Sequence, residues 1–188
     1  MQTVIDNKEV LGAYINLDNN DKVKTLVSIK LFPSDLGGYW NRCGMTADFG
    51  ANFMSYCYPN SIGAKNTLSF ILNELVENAI KFSKHNEKPI ELELMDFENQ
   101  IIFEVRNFID IDAYNSFKGF IQNYIVRQNV DEKYMELMTH LDTGSHTSQL
   151  GLLTIVNNFK TKAGFEFRGP VDGYYKSSVQ IIINPLEI

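Results

Sequence analysis

Asn66-Thr67-Leu68-Ser69-Phe70-Ile71-Leu72-Asn73-Glu74-Leu75-Val76-Glu77-Asn78-Ala79-Ile80-Lys81-Phe82-Ser83 is the stretch on which the fold turns. Leu68, Ile71, Leu72, Leu75, Val76, Ala79, Ile80 and Phe82 recur at helical spacing, so residues 66–83 read as one long amphipathic helix. Two strands follow it. Ile90, Leu92 and Leu94 alternate with Glu91 and Glu93, and Ile101, Phe103 and Val105 alternate with Ile102, Glu104 and Arg106. Upstream, Val23, Thr25, Val27, Ile29 and Leu31 alternate with Lys24, Leu26, Ser28, Lys30 and Phe32, a strand that stops at Pro33. The run from Val10 to Leu17 is expected to pair with it as a hairpin across Asp18-Asn19-Asn20-Asp21.

Ser34 to Tyr58 has a helical pattern, expected to break at Gly37-Gly38 and at Gly44, with Thr46 capping the second piece. Its aromatics, Tyr39, Trp40, Phe49, Phe53, Tyr56 and Tyr58, are expected mostly in the core, with a dimer face as the minority reading. One or two amphipathic helices fill Asp110 to His140. After the polar tract Thr143-Gly144-Ser145-His146-Thr147-Ser148, a helix from about Leu150 to Phe159 leads to strands around Phe165–Phe167 and Ser177–Ile183. This order implies an α+β fold: a two-layer sandwich with a mostly antiparallel mixed sheet and helices on one face.

The 188 residues suit a single domain, and 44% hydrophobic residues can build a sizeable core. Seventeen basic residues against 23 acidic leave a net charge of −6, which argues against nucleic-acid or anionic-membrane partners. The apolar runs are too interrupted for a bilayer-spanning helix, and Met1 to Val10 lacks a signal-peptide pattern. Cys43 and Cys57 have no metal-site spacing. The expectation is a cytoplasmic, acidic, globular protein.

Glu74, Asn78 and Lys81 lie at i, i+4 and i+7, a polar stripe on the long helix that Glu77 borders. Its plainer reading is a solvated face with a Glu77–Lys81 pair worth about 0.2–0.5 kcal/mol. Asn78 is the odd member, because asparagine is a poor helix former in mid-helix. A second feature is Ser148-Gln149-Leu150-Gly151-Leu152-Leu153-Thr154-Ile155-Val156, with a glycine on the expected opening turn of a helix. Free amides there make an anion site. The plainer reading is an ordinary helix capped by Thr147 or Ser148.

Asn73 to Phe82 resembles the asparagine box of the GHKL (Bergerat-fold) ATPases, the superfamily of histidine kinases, type II topoisomerases and anti-sigma-factor serine kinases. Leu150 to Val156 resembles its second glycine box. Glutamate four residues before the asparagine is closest to the anti-sigma-factor and SiaB-type serine/threonine kinases. The resemblance implies an ATP-binding core over 61–185 of a single 1–188 domain, with 1–60 as a strand-helix extension and possible dimer element. It implies ATP/ADP and Mg²⁺ as cofactors. Glu74 would be the catalytic base and Asn78 the Mg²⁺ ligand. Lys81 would lie near the phosphates, and a lid including Ser145, Thr147, Ser148, Leu150 and Gly151 would close over them. Asn107 stands where the family has an adenine-binding Asp, and the glycines that follow that Asp are absent. Ser177 sits where a Thr often approaches adenine. The implied function is Mg-ATP-dependent phosphorylation of a small regulatory partner protein, with a homodimer among the assemblies it allows. The missing Asp and glycines leave an alternative: a nonenzymatic module of the same fold. No histidine precedes the asparagine box, so a complete histidine kinase is not expected.

Overall fold

A computed structural model describes residues 7–17, 22–32, 40–58, 63–84, 88–127, 129–139, 147–185 and 187. Its elements are β1 (Lys8–Gly12), β2 (Thr25–Leu31), α1 (Trp40–Ser55), α2 (Ala64–Phe82), β3 (Ile90–Asp96), β4 (Ile101–Asp110), α3 (Ile111–Phe120), a π-helical turn (Ile121–Val126), α4 (Val130–Thr139), α5 (Thr147–Asn158), β5 (Lys162–Val171) and β6 (Tyr174–Ile183). The six strands form one sheet in the order β1-β5-β6-β4-β3-β2. All five pairings are antiparallel. The expected two-layer α+β architecture is present.

Strand parity decides the layers. Leu92, Leu94, Phe103, Val105, Phe165 and Ile181 point to one face and join the apolar sides of the helices in the main core. On the other face Arg106 bonds Glu93 at 2.6 Å and Glu104 at 3.0 Å, and Lys30 and Lys176 each reach Glu91 at 3.2 Å. Arg106–Glu93 and Lys30–Glu91 join neighbouring strands, where opposite charges stabilise pairing, while Lys176 reaches Glu91 across β4.

The expected hairpin between Val10–Leu17 and the next strand does not form. β1 and β2 lie at opposite edges of the sheet, β1 on β5 and β2 on β3. The described residues between them, 13–17 and 22–24, lie against the charged face, where Ile15, Leu17 and Val23 pack on Met95, Phe97 and Ile102. Burying those apolar groups outweighs a local turn. Gln180 clamps the crossing segment, with Ile15 N donating to its Oε1 and its Nε2 donating to the Ile15 carbonyl, each at 2.9 Å. Tyr14 Oη donates to Glu104 at 2.9 Å.

α1 also departs from expectation. It runs unbroken through Gly44, so Thr46 lies inside the helix and caps nothing; Gly37-Gly38 and Tyr39 fall outside the described residues. Its buried side is small, with Cys43, Ala47 and Ala51 facing the core beside Met54. A Cβ on Gly50 would come 2.7 Å from Leu94 Cδ1 and 3.0 Å from Leu72 Cδ1, so glycine lets α1 settle closely. Phe49, Phe53 and Tyr56 are exposed rather than in the core, and among the described side chains, which do not include Trp40, only Tyr58 turns in, donating to Asp96 and to the Phe97 carbonyl.

Candidate functional site

α2 carries the expected apolar stripe, with Leu68, Ile71, Leu72, Leu75, Val76 and Ala79 buried; Phe82, at its end, is exposed. Above the stripe's C-terminal half lies a cavity of about 300 Å³. That volume is at the lower end for small-molecule sites, about 300–1,000 Å³. Asn78 and Lys81 from α2, Asn107 from β4 and Ser177 from β6 all line it, between apolar walls that include Val105, Ile109, Phe117, Leu152 and Val179. Asn107 and Ser177 are direct cross-strand partners.

Asn107 is buried, and its Nδ2 donates to the Ala79 carbonyl at 3.0 Å. That carbonyl needs a partner because Ser83 N, its usual helical donor, bonds to Ile80 O instead. Only the amide NH₂ can donate to a carbonyl, so the Oδ1 is left as the acceptor. An ionised aspartate at this position could not make this tie. Asn107→Asp would set two acceptors against each other in a buried place. It is expected to lower stability by about 1–3 kcal/mol in urea unfolding, and an unchanged midpoint would refute the tie. Among the described residues neither the Asn78 amide nor the Ser177 hydroxyl makes a side-chain hydrogen bond, so their polar capacity is open to a ligand.

β4 carries no glycine turn after Asn107. Ile109 forms part of the cavity wall, whereas Phe108 alternates to the opposite face and does not crowd the mouth. The strand runs directly into α3, which Asp110 caps by accepting from Ala113 N at 2.8 Å.

Glu74 lies one turn before Asn78, but not among the cavity-lining residues. Its carboxylate rests on Gly151, where an added Cβ would overlap Oε2 and come 2.7 Å from Cδ. Among the described residues no hydrogen bond or ion pair satisfies it. Burial raises its pKa above the ordinary glutamate value, and the Glu77 carboxylate adds to the rise. Glu77 accepts from Asn73 Nδ2 at 2.7 Å; the expected Glu77–Lys81 pair is not among the described contacts, and the Lys81 ammonium lies 5.6 Å from the Phe82 ring centroid.

α5 opens at Thr147, so Gly151 is its fifth residue and not part of its opening turn. The Gly151 amide therefore belongs to the helical ladder, and the use of the glycine is close approach to Glu74. Ser145 lies outside the described residues, as do His85, His140 and His146; of Thr147 and Ser148 only the backbone is described. Leu150 packs against the core. α3 supplies lining residues that received no role from the sequence, Ala113, Ser116, Phe117 and Phe120. Their i, i+3, i+4, i+7 spacing was the available signal.

Among the described residues no group of three His, Cys, Asp or Glu could hold a metal ion. A Mg²⁺ that keeps water and phosphate ligands needs only one or two protein oxygens, and the Asn78 side chain fits that demand. No helix among the described residues is long and apolar enough to cross a membrane. No protein-family model matches the chain, and no curated protein matches it in sequence.

Proposed function

We propose that the cavity binds the adenosine end of ATP or ADP, and that the protein is a cytoplasmic, Mg-ATP-dependent serine/threonine kinase acting on a small regulatory partner protein. One observation carries the reading: Asn78, Lys81, Asn107 and Ser177, singled out along the chain, converge from three elements on one cavity. Asn107 Oδ1 accepts from the adenine amino group while its Nδ2 holds α2. The apolar walls take the ring faces, Asn78 Oδ1 is the protein ligand to Mg²⁺, and Lys81 neutralises phosphate charge. Bound Mg-ATP supplies the phosphoryl group and departs as ADP. Glu74 takes the proton of the attacking hydroxyl, a role that its raised pKa suits.

Titration calorimetry and thermal melting with Mg-ADP test the binding step. A hundredfold excess over Kd is expected to add about 2.7 kcal/mol of stability, and Asn78→Ala should remove most of the Mg²⁺-dependent part. No heat and no shift would end the nucleotide reading.

A second reading, a nucleotide-binding module without catalysis, is favoured by the place of Glu74 against Gly151, outside the cavity lining. The two differ in whether ADP forms from Mg-ATP.

A further inference from the structure

α1 is apolar on two opposite sides. Cys43, Ala47, Ala51 and Met54 face the core, while Met45 (71% exposed), Phe49 (56%), Phe53 (41%) and Tyr56 (76%) form a ridge pointing away from it. A surface helix normally carries one apolar stripe, facing the core, and polar residues opposite it. The Phe49 and Phe53 rings lie 6.3 Å apart, so the ridge is continuous. α1 has two charged residues, Arg42 and Asp48, and Asp48 accepts from Ser69 Oγ at 2.6 Å on α2. The ridge from Met45 to Tyr56 is uncharged and Arg42 stands at its end, matching an uncharged interface centre with a polar rim.

The spacing identifies the occupant. Arg42, Met45, Phe49, Phe53 and Tyr56 are separated by three, four, four and three residues, a pattern symmetric about Phe49. A two-fold axis through Phe49 therefore sets Phe49 on itself, Met45 against the partner subunit's Phe53, and Arg42 beside the partner subunit's Tyr56. Such self-complementarity is what an isologous dimer requires. Met45, Phe49 and Phe53 also lie on an i±4 row, the ridge that interdigitates in the commonest helix crossing. The area agrees. At about 200 Å² per large side chain, the ridge exposes roughly 500 Å². Two copies together then bury about 1,000 Å², the lower bound for a specific interface, before any rim is counted.

We propose that α1 is a homodimerisation helix, two copies of this chain crossing at Phe49. The proposal does not rest on the cavity's ligand. Light scattering on the purified full chain at tens of micromolar should give twice the 21.5 kDa chain mass. Phe49→Asp should weaken the dimer by about tenfold or more while leaving the far-UV circular dichroism unchanged. In a Cys57→Ser background, Phe49→Cys should cross-link to itself on mild oxidation much faster than Phe53→Cys, which the axis places opposite Met45. A monomeric wild type would assign the ridge to another protein and overturn the proposal. A Phe49→Asp chain that stays dimeric, or faster cross-linking at residue 53, would overturn it as well.

Discussion

Glu74→Gln is expected to bind Mg-ATP normally, to form ADP about 10²–10⁴ times more slowly, and to melt at a higher temperature than the wild type at neutral pH. The loss of rate follows from removing the carboxylate beside Asn78 that is proposed to accept the proton of an attacking hydroxyl. The gain in stability has a separate origin. The Glu74 carboxylate is half-buried against Gly151, has no hydrogen-bond or ion-pair partner among the described residues, and feels the Glu77 charge. Its folded-state pKa lies above the unfolded one, so protonation favours the fold. That contribution is complete below the ordinary glutamate pKa and is lost as pH rises through the folded value. Glutamine does not titrate, so the advantage of the variant should grow upward through that window and disappear in acid. An acid that costs stability where it sits is what a residue kept for chemistry looks like. Paired melts from acid to neutral pH, with coupled-assay ADP release, measure both halves. Unchanged ADP release with normal binding would remove Glu74 as the base, and no ADP release from the wild type would leave the module without catalysis. A flat melting difference across pH would refute the burial argument.

Gly164→Ala should be the most damaging small substitution on the sheet, lowering stability by about 3 kcal/mol. An alanine Cβ there would overlap Tyr14 N and Cα and come 2.7 Å from Ala13 C. These are backbone atoms, so no side-chain rotation relieves the clash. The crossing segment must lift, and it is held by Ala13 N on the Ala163 carbonyl at 2.9 Å, by both ends of the Gln180 amide on Ile15, and by Tyr14 on Glu104. Urea unfolding gives the change directly. A loss under about 1 kcal/mol would mean that the segment moves easily and that the clamp contributes little.

The long helix, the period-two strands and the polar stripe were legible because each is a local periodicity, and carrying the alternation of Ile101, Phe103 and Val105 one step further puts Asn107 on the inward face. The hairpin misreading shows where such reasoning stops. Val10–Leu17 and Thr25–Leu31 each look like strands, but which strand each one borders depends on where Ile15, Leu17 and Val23 find apolar surface, and that is on Met95, Phe97 and Ile102. α1 misled for another reason. Its aromatics are its most hydrophobic residues, yet close packing on α2 and β3 selects size over hydrophobicity, so Ala47, Gly50 and Ala51 go inward and Phe49 and Phe53 stay out.

From the order of residues alone came the α+β class, the helix bearing Glu74, Asn78 and Lys81, and the side of β4 on which Asn107 lies, since backbone geometry translates spacing into faces without reference to distant parts of the chain. Folding in three dimensions decided that Ser177 stands beside Asn107, that Gly151 receives the Glu74 carboxylate, and that α1 turns its aromatic ridge outward. Those outcomes depend on strand register and on the space left between packed elements, which arise only when segments far apart in the chain compete for the same surface.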